Sequence, residues 1–377
     1  MTRWAILTGE YPPQPGGVSD YTRLVACGLA EAGDSVTVFA PIFNDAEIDD
    51  PGVRVHRLAG FGPRTLRHLD RHLAGSKPDR ILVQYVPHAF GYKAMNWPFA
   101  AWLAVRAGRI APVWAMFHEV ASPYSWPSPK HALLGAVTRL MARRIAGAAE
   151  RVFVTIPAWG DLLKRLCPRM KPAEWSPVPC TFDADPSPES ALSARRLFAS
   201  HGEMLVGHFG TFGTLITDML APALVEMLRL RADANVLLIG RGSKEFRERF
   251  VGSDPVWNSR VTAVGELPAD AISAHLRACD LLVQPFPDGI SSRRTSAMAG
   301  LANGLPIATN LGVLSEPLWA SGAVSSVPSP DPAALGRLAV SLLADRPARE
   351  ALGRFGLALY RETFAIEHTI ARLRGTA

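Results

Sequence analysis

The sequence predicts an α/β protein: two doubly wound, Rossmann-like domains facing each other across a cleft. Strand-like runs rich in β-branched residues alternate with helical stretches, the pattern of parallel sheets covered on both faces. The alternation breaks once, at a proline-rich stretch holding Pro168, Pro172, Pro177, Pro179, Pro186 and Pro188, and then restarts. Prolines at that density defeat both helix and central strand, so the stretch reads as a connection between domains. A length of 377 residues agrees, being too long for one ordinary core.

The first strand, Trp4–Thr8, enters a glycine-rich turn from Gly9 to Gly17. An amphipathic helix follows, with apolar Val18, Tyr21, Val25 and Leu29 at helical spacing. Gly16 and Gly17 let backbone approach a ligand closely, and the helix start offers N–H groups to an anion. The turn lacks the spacing of a dinucleotide fingerprint or a P-loop, and any parallel sheet also reverses through such a turn. Asp20 stands in the first helical turn, where a carboxylate is favourable, as a cap or as a binding group. Further strands are expected at Ser35–Ala40, Val53–Leu58, Arg80–Tyr85, Val113–His118 and Arg151–Ile156, with helices at Trp97–Ala107 and His131–Ala149. After the prolines, strands recur at Met204–Gly210, Asn235–Gly240, Val261–Val264, Leu281–Phe286 and Pro306–Asn310. The domains are therefore expected at 1–185 and 200–360, with 361–377 a C-terminal helix packing back towards the first domain. Two such domains place a cleft between the carboxyl ends of their strands, and ligands bind at strand ends.

Composition narrows the function classes. Hydrophobic residues at 48% with 20% charged residues describe a globular protein rather than a disordered one. No uninterrupted apolar run of about 18 residues exists, so no membrane span is expected. The start, Met1-Thr2-Arg3-Trp4, passes straight into a strand without an apolar signal block, which points to the cytoplasm. Cys27, Cys167, Cys180 and Cys279 have no paired spacing and read as reduced thiols. A net charge of +6 suits an anionic substrate or the acidic inner face of a membrane. The helix from His131 to Ala149, with Arg139, Arg143 and Arg144 beside apolar residues, fits peripheral membrane contact or packing on its own sheet. No basic tract interleaved with aromatics is present, so no nucleic-acid partner is expected.

The strongest chemical signal follows Leu281–Phe286. Ser291 or Ser292 is a natural N-cap, which puts Arg293 and Arg294 in the first turn of a helix. Cations there are unfavourable by roughly 0.3–1 kcal/mol each, so a negative group is expected beside them. Asp288 could pair with one arginine. A phosphate would meet both guanidinium groups and the helix N-terminus together. His118, closing an apolar strand, reads either as a satisfied structural histidine or as a ligand contact.

These features together resemble bacterial GT-B fold glycosyltransferases of the retaining family 4 type, which use nucleotide-sugar donors. The resemblance covers nearly the whole chain. It rests on the Glu10–Tyr21 glycine loop, the strand end Phe117-His118-Glu119, the Gly207–Gly213 loop opening the second domain, and Asp288 to Pro306. The family carries a glutamate, seven residues and a second glutamate before Ala-Met-Ala and a Gly-x-Pro turn. This chain keeps Ala297-Met298-Ala299 and Gly304-Leu305-Pro306 but has Asp288 and Ser296 at the two glutamate positions. The arginine and lysine usual in and after the loop opening the second domain are also absent from Gly207–Thr214.

What the resemblance implies is sugar transfer from a UDP- or GDP-sugar to a hydroxyl acceptor on a carbohydrate or lipid-linked molecule. It implies retention at the anomeric carbon, with no metal and no cofactor. Catalysis would fall to His118, Asp288 and Arg293. Donor and phosphate binding would fall to Gly16, Gly17, Gly210, Thr211, Arg241, Gly289, Ser291, Ser292, Arg294 and Ser296. Asp20, Tyr85 and Glu119 would face the acceptor, although Glu119 equally suits a surface ion pair. Asp183-Ala184-Asp185 matches the Asp-x-Asp pair with which another glycosyltransferase fold binds manganese, but it lies in the proline-rich stretch and reads as solvated turn acids. Three alternatives stand beside this reading. They are a sugar-nucleotide epimerase, an inactive glycosyltransferase-like accessory subunit, and a two-lobed solute-binding protein, the last opposed by the lack of an export signal.

Overall fold

The structure, a computed structural model, describes residues 1–44, 49–123 and 128–376. The chain divides into two compact units, Met1–Pro177 with Ile366–Ala377, and Val178–Ala365. In the first unit the elements run β1 (Arg3–Thr8), α1 (Gly17–Glu31), β2 (Ser35–Pro41), β3 (Val53–Leu58), α2 (Pro63–Ser76), β4 (Arg80–Tyr85), α3 (Trp97–Val105), β5 (Val113–Phe117), α4 (Pro129–Ala148), β6 (Arg151–Val154), α5 (Pro157–Leu166) and β7 (Ala173–Trp175). All seven strands are parallel, in the order β3-β2-β1-β4-β5-β6-β7. The strands β4 and β5 are buried almost throughout because helices cover both faces. The order reverses between β1 and β4, so the turns after those strands open onto the crevice where such sheets bind ligands.

The second unit holds α6 (Pro188–Phe198), β8 (Met204–Phe209), α7 (Thr214–Leu230), β9 (Ala234–Ile239), α8 (Ser243–Ser253), β10 (Val261–Gly265), α9 (Ala269–Arg277), β11 (Leu281–Gln284), α10 (Thr295–Ala302), β12 (Ile307–Asn310), β13 (Ser325–Val327), α11 (Pro332–Ala344) and α12 (Arg346–Leu359). Its six parallel strands run β10-β9-β8-β11-β12-β13, with the reversal between β8 and β11. Each unit has its own core, built around Leu7, Val83 and Phe117 in the first and Val206, Leu238 and Val283 in the second.

The proline-rich stretch is more structured than its composition suggests. Pro172 lies just before β7, which pairs with β6 through Val152↔Ala173, so no proline removes a ladder donor. Pro188 occupies the first turn of α6, where its missing N–H costs nothing, and Ser187 caps that helix by accepting from the Ser190 N–H. Between them, Val178–Phe182 packs on the second unit. The Val178 N–H donates to the Ser292 carbonyl (3.0 Å), the Cys180 N–H donates to the Tyr360 hydroxyl (3.2 Å), and Phe182 meets Phe209 edge-on. The final helix, α13 (Ile366–Arg374), packs on α1 in the first unit. The Arg151 guanidinium donates to the Arg372 carbonyl, Arg374 pairs with Asp34, and Ile370 fills the space that Gly28 leaves. Among the described residues no helix is long and apolar enough to cross a membrane.

Candidate active site

The turn after β11 gathers most of the sequence-predicted residues of the second unit. Asp288 bonds both arginines, one carboxylate oxygen to Arg293 and the other to Arg294. The expectation that one carboxylate serves only one arginine is therefore corrected: a carboxylate has two oxygens, and the turn lets each accept from a different guanidinium. All three side chains are 18–24% exposed, so the cluster is largely withdrawn from water and its electrostatics are strong. Arg294 also lies over the Phe286 ring at 4.8 Å, which holds its guanidinium flat. The N-cap expectation changes too. Helix α10 begins at Thr295, with Arg294 at its N-cap position, so neither serine caps it. Ser292 is engaged elsewhere, and Ser291 is buried with its hydroxyl unpartnered.

Ser292 is engaged by Glu316, a residue that sequence reasoning missed. The Ser292 N–H and hydroxyl and the Trp319 indole N–H all donate to this buried carboxylate. Charge-assisted hydrogen bonds replace its hydration. The rest of the turn is clamped by the end of β12 and the segment after it. The Phe286 N–H donates to the Asn310 side chain, the Ile290 N–H to the Asn310 carbonyl, and the Leu314 N–H to the Asp288 carbonyl. Gly289 has φ +87°, and a β-carbon there would sit 2.2 Å from the Gly312 nitrogen. Its lack of a side chain serves this backbone-on-backbone contact, not only an approach to a ligand.

Across the switch point of the same sheet lies the turn after β8. The Gly210 N–H completes the ladder to the Ile239 carbonyl (3.1 Å), so it is not available to an anion as the sequence suggested. Gly210 acts through its shape. Its φ is +151°, its carbonyl lies against Gly240, and a β-carbon on it would come within 3.8 Å of the Ser296 β-carbon. The structure thus brings Gly210 and Ser296 together. Thr211 and Arg241 are exposed beside them, with the Phe212 N–H donating to the Arg241 carbonyl. His208, at the end of β8, is buried, and burial pushes its imidazole down to about 4.

In the first unit the anion expected at Gly16-Gly17 is supplied by the chain itself. The Glu10 carboxylate accepts from the Val18 and Ser19 N–H groups (3.1 and 3.2 Å), at the start of α1. Gly16 is glycine because a β-carbon would meet that carboxylate at 2.7 Å. The phosphate-binding expectation for Gly16 and Gly17 is corrected accordingly. Asp20 is exposed in the first turn of α1. Tyr85 is fully buried in the core between Phe90 and Phe117, which removes it from the surface an acceptor would touch. His118 is buried at the end of β5 with Nε2 2.8 Å from the Gln84 oxygen and its ring edge-on to Tyr21. Burial pushes it down to about 3, so the imidazole is neutral and Nε2 donates to Gln84. Glu119 follows it, half-buried.

Among the described residues no group of three His, Cys, Asp or Glu side chains could hold a metal ion. Asp183 instead accepts from the Asp185 N–H in a local turn, and Asp185 lies 3.5 Å from Arg277.

Residues 16–181 match the family model of a glycosyl transferase 4-like domain. A D-inositol 3-phosphate glycosyltransferase from Pseudarthrobacter chlorophenolicus is 26% identical over 339 residues, which cover 81% of this chain and 76% of that protein. Among solved structures, a sucrose-phosphate synthase from Thermosynechococcus elongatus superposes with a TM-score of 0.75 at 19% identity, covering 100% of this chain and 98% of that one. The Anabaena protein HepE, in complex with UDP and glucose, gives a TM-score of 0.71 at 15% identity, covering 100% and 99%. The fold is that of the GT-B glycosyltransferases, and the family match covers residues 16–181 of the chain.

Proposed function

We propose that this chain transfers a sugar from a UDP-sugar to a hydroxyl acceptor, with retention at the anomeric carbon and without a metal ion. The observation that carries the reading is the convergence of Arg293 and Arg294 on Asp288, in the turn beside the switch point of the second unit. A diphosphate offers more charge and more acceptor oxygens than one carboxylate, so it displaces Asp288 from the two guanidinium groups. Asp288 is then released towards the hydroxyls of the sugar. As the glycosidic bond breaks, the leaving diphosphate gains charge, and fixed guanidinium groups stabilise it more in the transition state than in the ground state. The start of α7 and the Thr211 backbone supply further donors, and Arg241 a further cation. Ser296 takes the place of a ribose-binding glutamate with a weaker contact. We assign His118 a contact with the reacting sugar, and Asp20 and Glu119 contacts with the acceptor.

Calorimetric titration with UDP, paired with UDP release from a panel of UDP- and GDP-sugars, tests the reading. Arg293→Ala and Arg294→Ala should each weaken UDP binding by about 1.5–3 kcal/mol, the range for charged hydrogen bonds. Unchanged affinity in both variants would move the diphosphate to Arg241. His118→Ala should lower turnover far more than it lowers UDP affinity. Ser296 at a position usually acidic favours one second reading, an inactive accessory subunit. That reading wins if the pure protein consumes no donor yet stimulates a co-purifying transferase.

A further inference from the structure

A row of buried polar side chains crosses the carboxyl edge of the first unit's sheet. Thr8 on β1 is in register with Gln84 on β4, and Gln84 with Met116 on β5. Side chains in register on parallel strands share a face, and a strand returns to that face every second residue, so His118 joins the row two residues beyond Met116. Thr8 and Gln84 are fully buried and His118 nearly so. Helix α1 covers the row, with the Tyr21 ring 4.7 Å from the imidazole and the Thr22 hydroxyl 3.4 Å from that of Thr8.

Gln84 uses one end of its amide only. Its Oε1 lies 2.8 Å from the His118 Nε2, while its Nε2 is buried without a hydrogen-bond partner. A buried unpaired donor is costly, and an apolar side chain of the same length would fill the strand without that cost. The backbone of His118 does not need this contact. Its N–H donates to the Tyr85 carbonyl (3.0 Å), and its carbonyl accepts from the Thr155 hydroxyl (3.3 Å) and the Trp159 indole (3.0 Å). What Gln84 adds is control of the ring. Burial keeps the imidazole neutral, and a neutral imidazole with its proton on Nε2 carries a lone pair on Nδ1.

We propose that Gln84 is a positioning residue: its Oε1 holds the His118 proton on Nε2, so that Nδ1 meets the transferred sugar as an acceptor for one of its hydroxyls. The sugar in that statement rests on the transferase reading, but the place of the proton is measured without turnover. The full-length protein is labelled with nitrogen-15 histidine, its imidazole resonances are recorded, and that of His118 is assigned by its loss in His118→Gln. Wild type should carry the proton on Nε2. Gln84→Leu leaves Nε2 without an acceptor, so the proton should move to Nδ1, and turnover of the UDP-sugar should fall at least tenfold with UDP affinity within twofold of wild type. Gln84→Glu keeps an acceptor but shares one extra proton with the imidazole. Whether the carboxyl or the ring holds that proton, Nδ1 is protonated, so turnover relative to wild type should be low near neutral pH and recover as pH rises and the pair releases it. Tyr21, packed on the ring with its phenol pushed up by burial, and Glu119, next in the chain, are the same in both proteins and cancel in that ratio. A wild-type ring protonated on Nδ1, a Gln84→Leu ring that keeps its proton on Nε2, or a Gln84→Glu variant that tracks wild type at every pH overturns the proposal. Wild type that consumes no donor, yet carries the Nε2 proton and loses it in Gln84→Leu, sinks the transferase reading and leaves the role of Gln84 standing.

Discussion

Asp288 is shared by two guanidinium groups, and the sharing gives its substitution opposite effects on stability and binding. Asp288→Asn removes the carboxylate that bonds two largely buried cations, so urea unfolding should show a loss of about 1–3 kcal/mol. Under the proposed function the same change removes a carboxylate that would compete with a diphosphate, so UDP should bind more tightly while turnover falls at least tenfold. Tighter binding in a less stable protein is the outcome to look for by calorimetry; weaker binding would contradict the displacement argument. Glu316 works differently, since it accepts from the Ser292 N–H and hydroxyl and the Trp319 indole. Glu316→Ala removes the acceptor of the Ser292 N–H and the Trp319 indole, at about 1–3 kcal/mol for each buried group that loses its bond. Denaturant unfolding should record that loss, and UDP affinity should fall as the turn loosens. The arginine–aspartate cluster was legible because its members are neighbours in sequence. Glu316 was not, because it stands 24 residues beyond the serine it holds. Glu10 was missed for another reason: the glycines beside it suggested a ligand, where the chain supplies its own anion.

Glycines divide the turns into those that bear backbone contact and those that do not. Gly289→Ala meets both a φ of +87° and the Gly312 nitrogen at 2.2 Å. Strain and overpacking together should cost about 2–4 kcal/mol, and chemical denaturation would show it. Gly17→Ala is the contrasting case, because a β-carbon there meets nothing within 4 Å and the residue opens α1. It should leave stability unchanged or raise it by up to about 1 kcal/mol, by restricting the unfolded chain. Elements with long apolar runs were readable within a residue or two, β4 and β5 among them. The three-residue strands β7 and β13 were not, since neither is long enough to show a period. Helix α6 was hidden by the prolines around it, one of which starts it.

Both units carry a buried neutral histidine, His118 in the first and His208 in the second, depressed to about 3 and about 4 by burial. An unfolded histidine titrates near 6.5, so below that pH the unfolded chain binds protons that the folded chain refuses. Their contribution is fully present above about pH 6.5 and is lost as pH falls towards the folded values. The loss is about 1.4 kcal/mol per pH unit for each histidine, or about 2 kcal/mol each at pH 5. Denaturant midpoints measured between pH 7.5 and 5 should fall accordingly, and His118→Gln/His208→Gln should flatten the slope. A wild-type midpoint that does not move would contradict the buried neutral state. The two-domain plan was legible from the repeated alternation of strand and helix. The allegiance of Val178–Phe182 was not, because it depends on the Ser292 carbonyl and the Tyr360 hydroxyl, 114 and 180 residues away. One feature also sets an order of assembly. Helix α13 belongs to the first unit but follows the whole of the second unit in sequence. On the ribosome the earlier-made unit therefore waits with the α1 surface uncovered around Gly28 and Asp34. The later-made unit has its entire chain at hand before the earlier one can close.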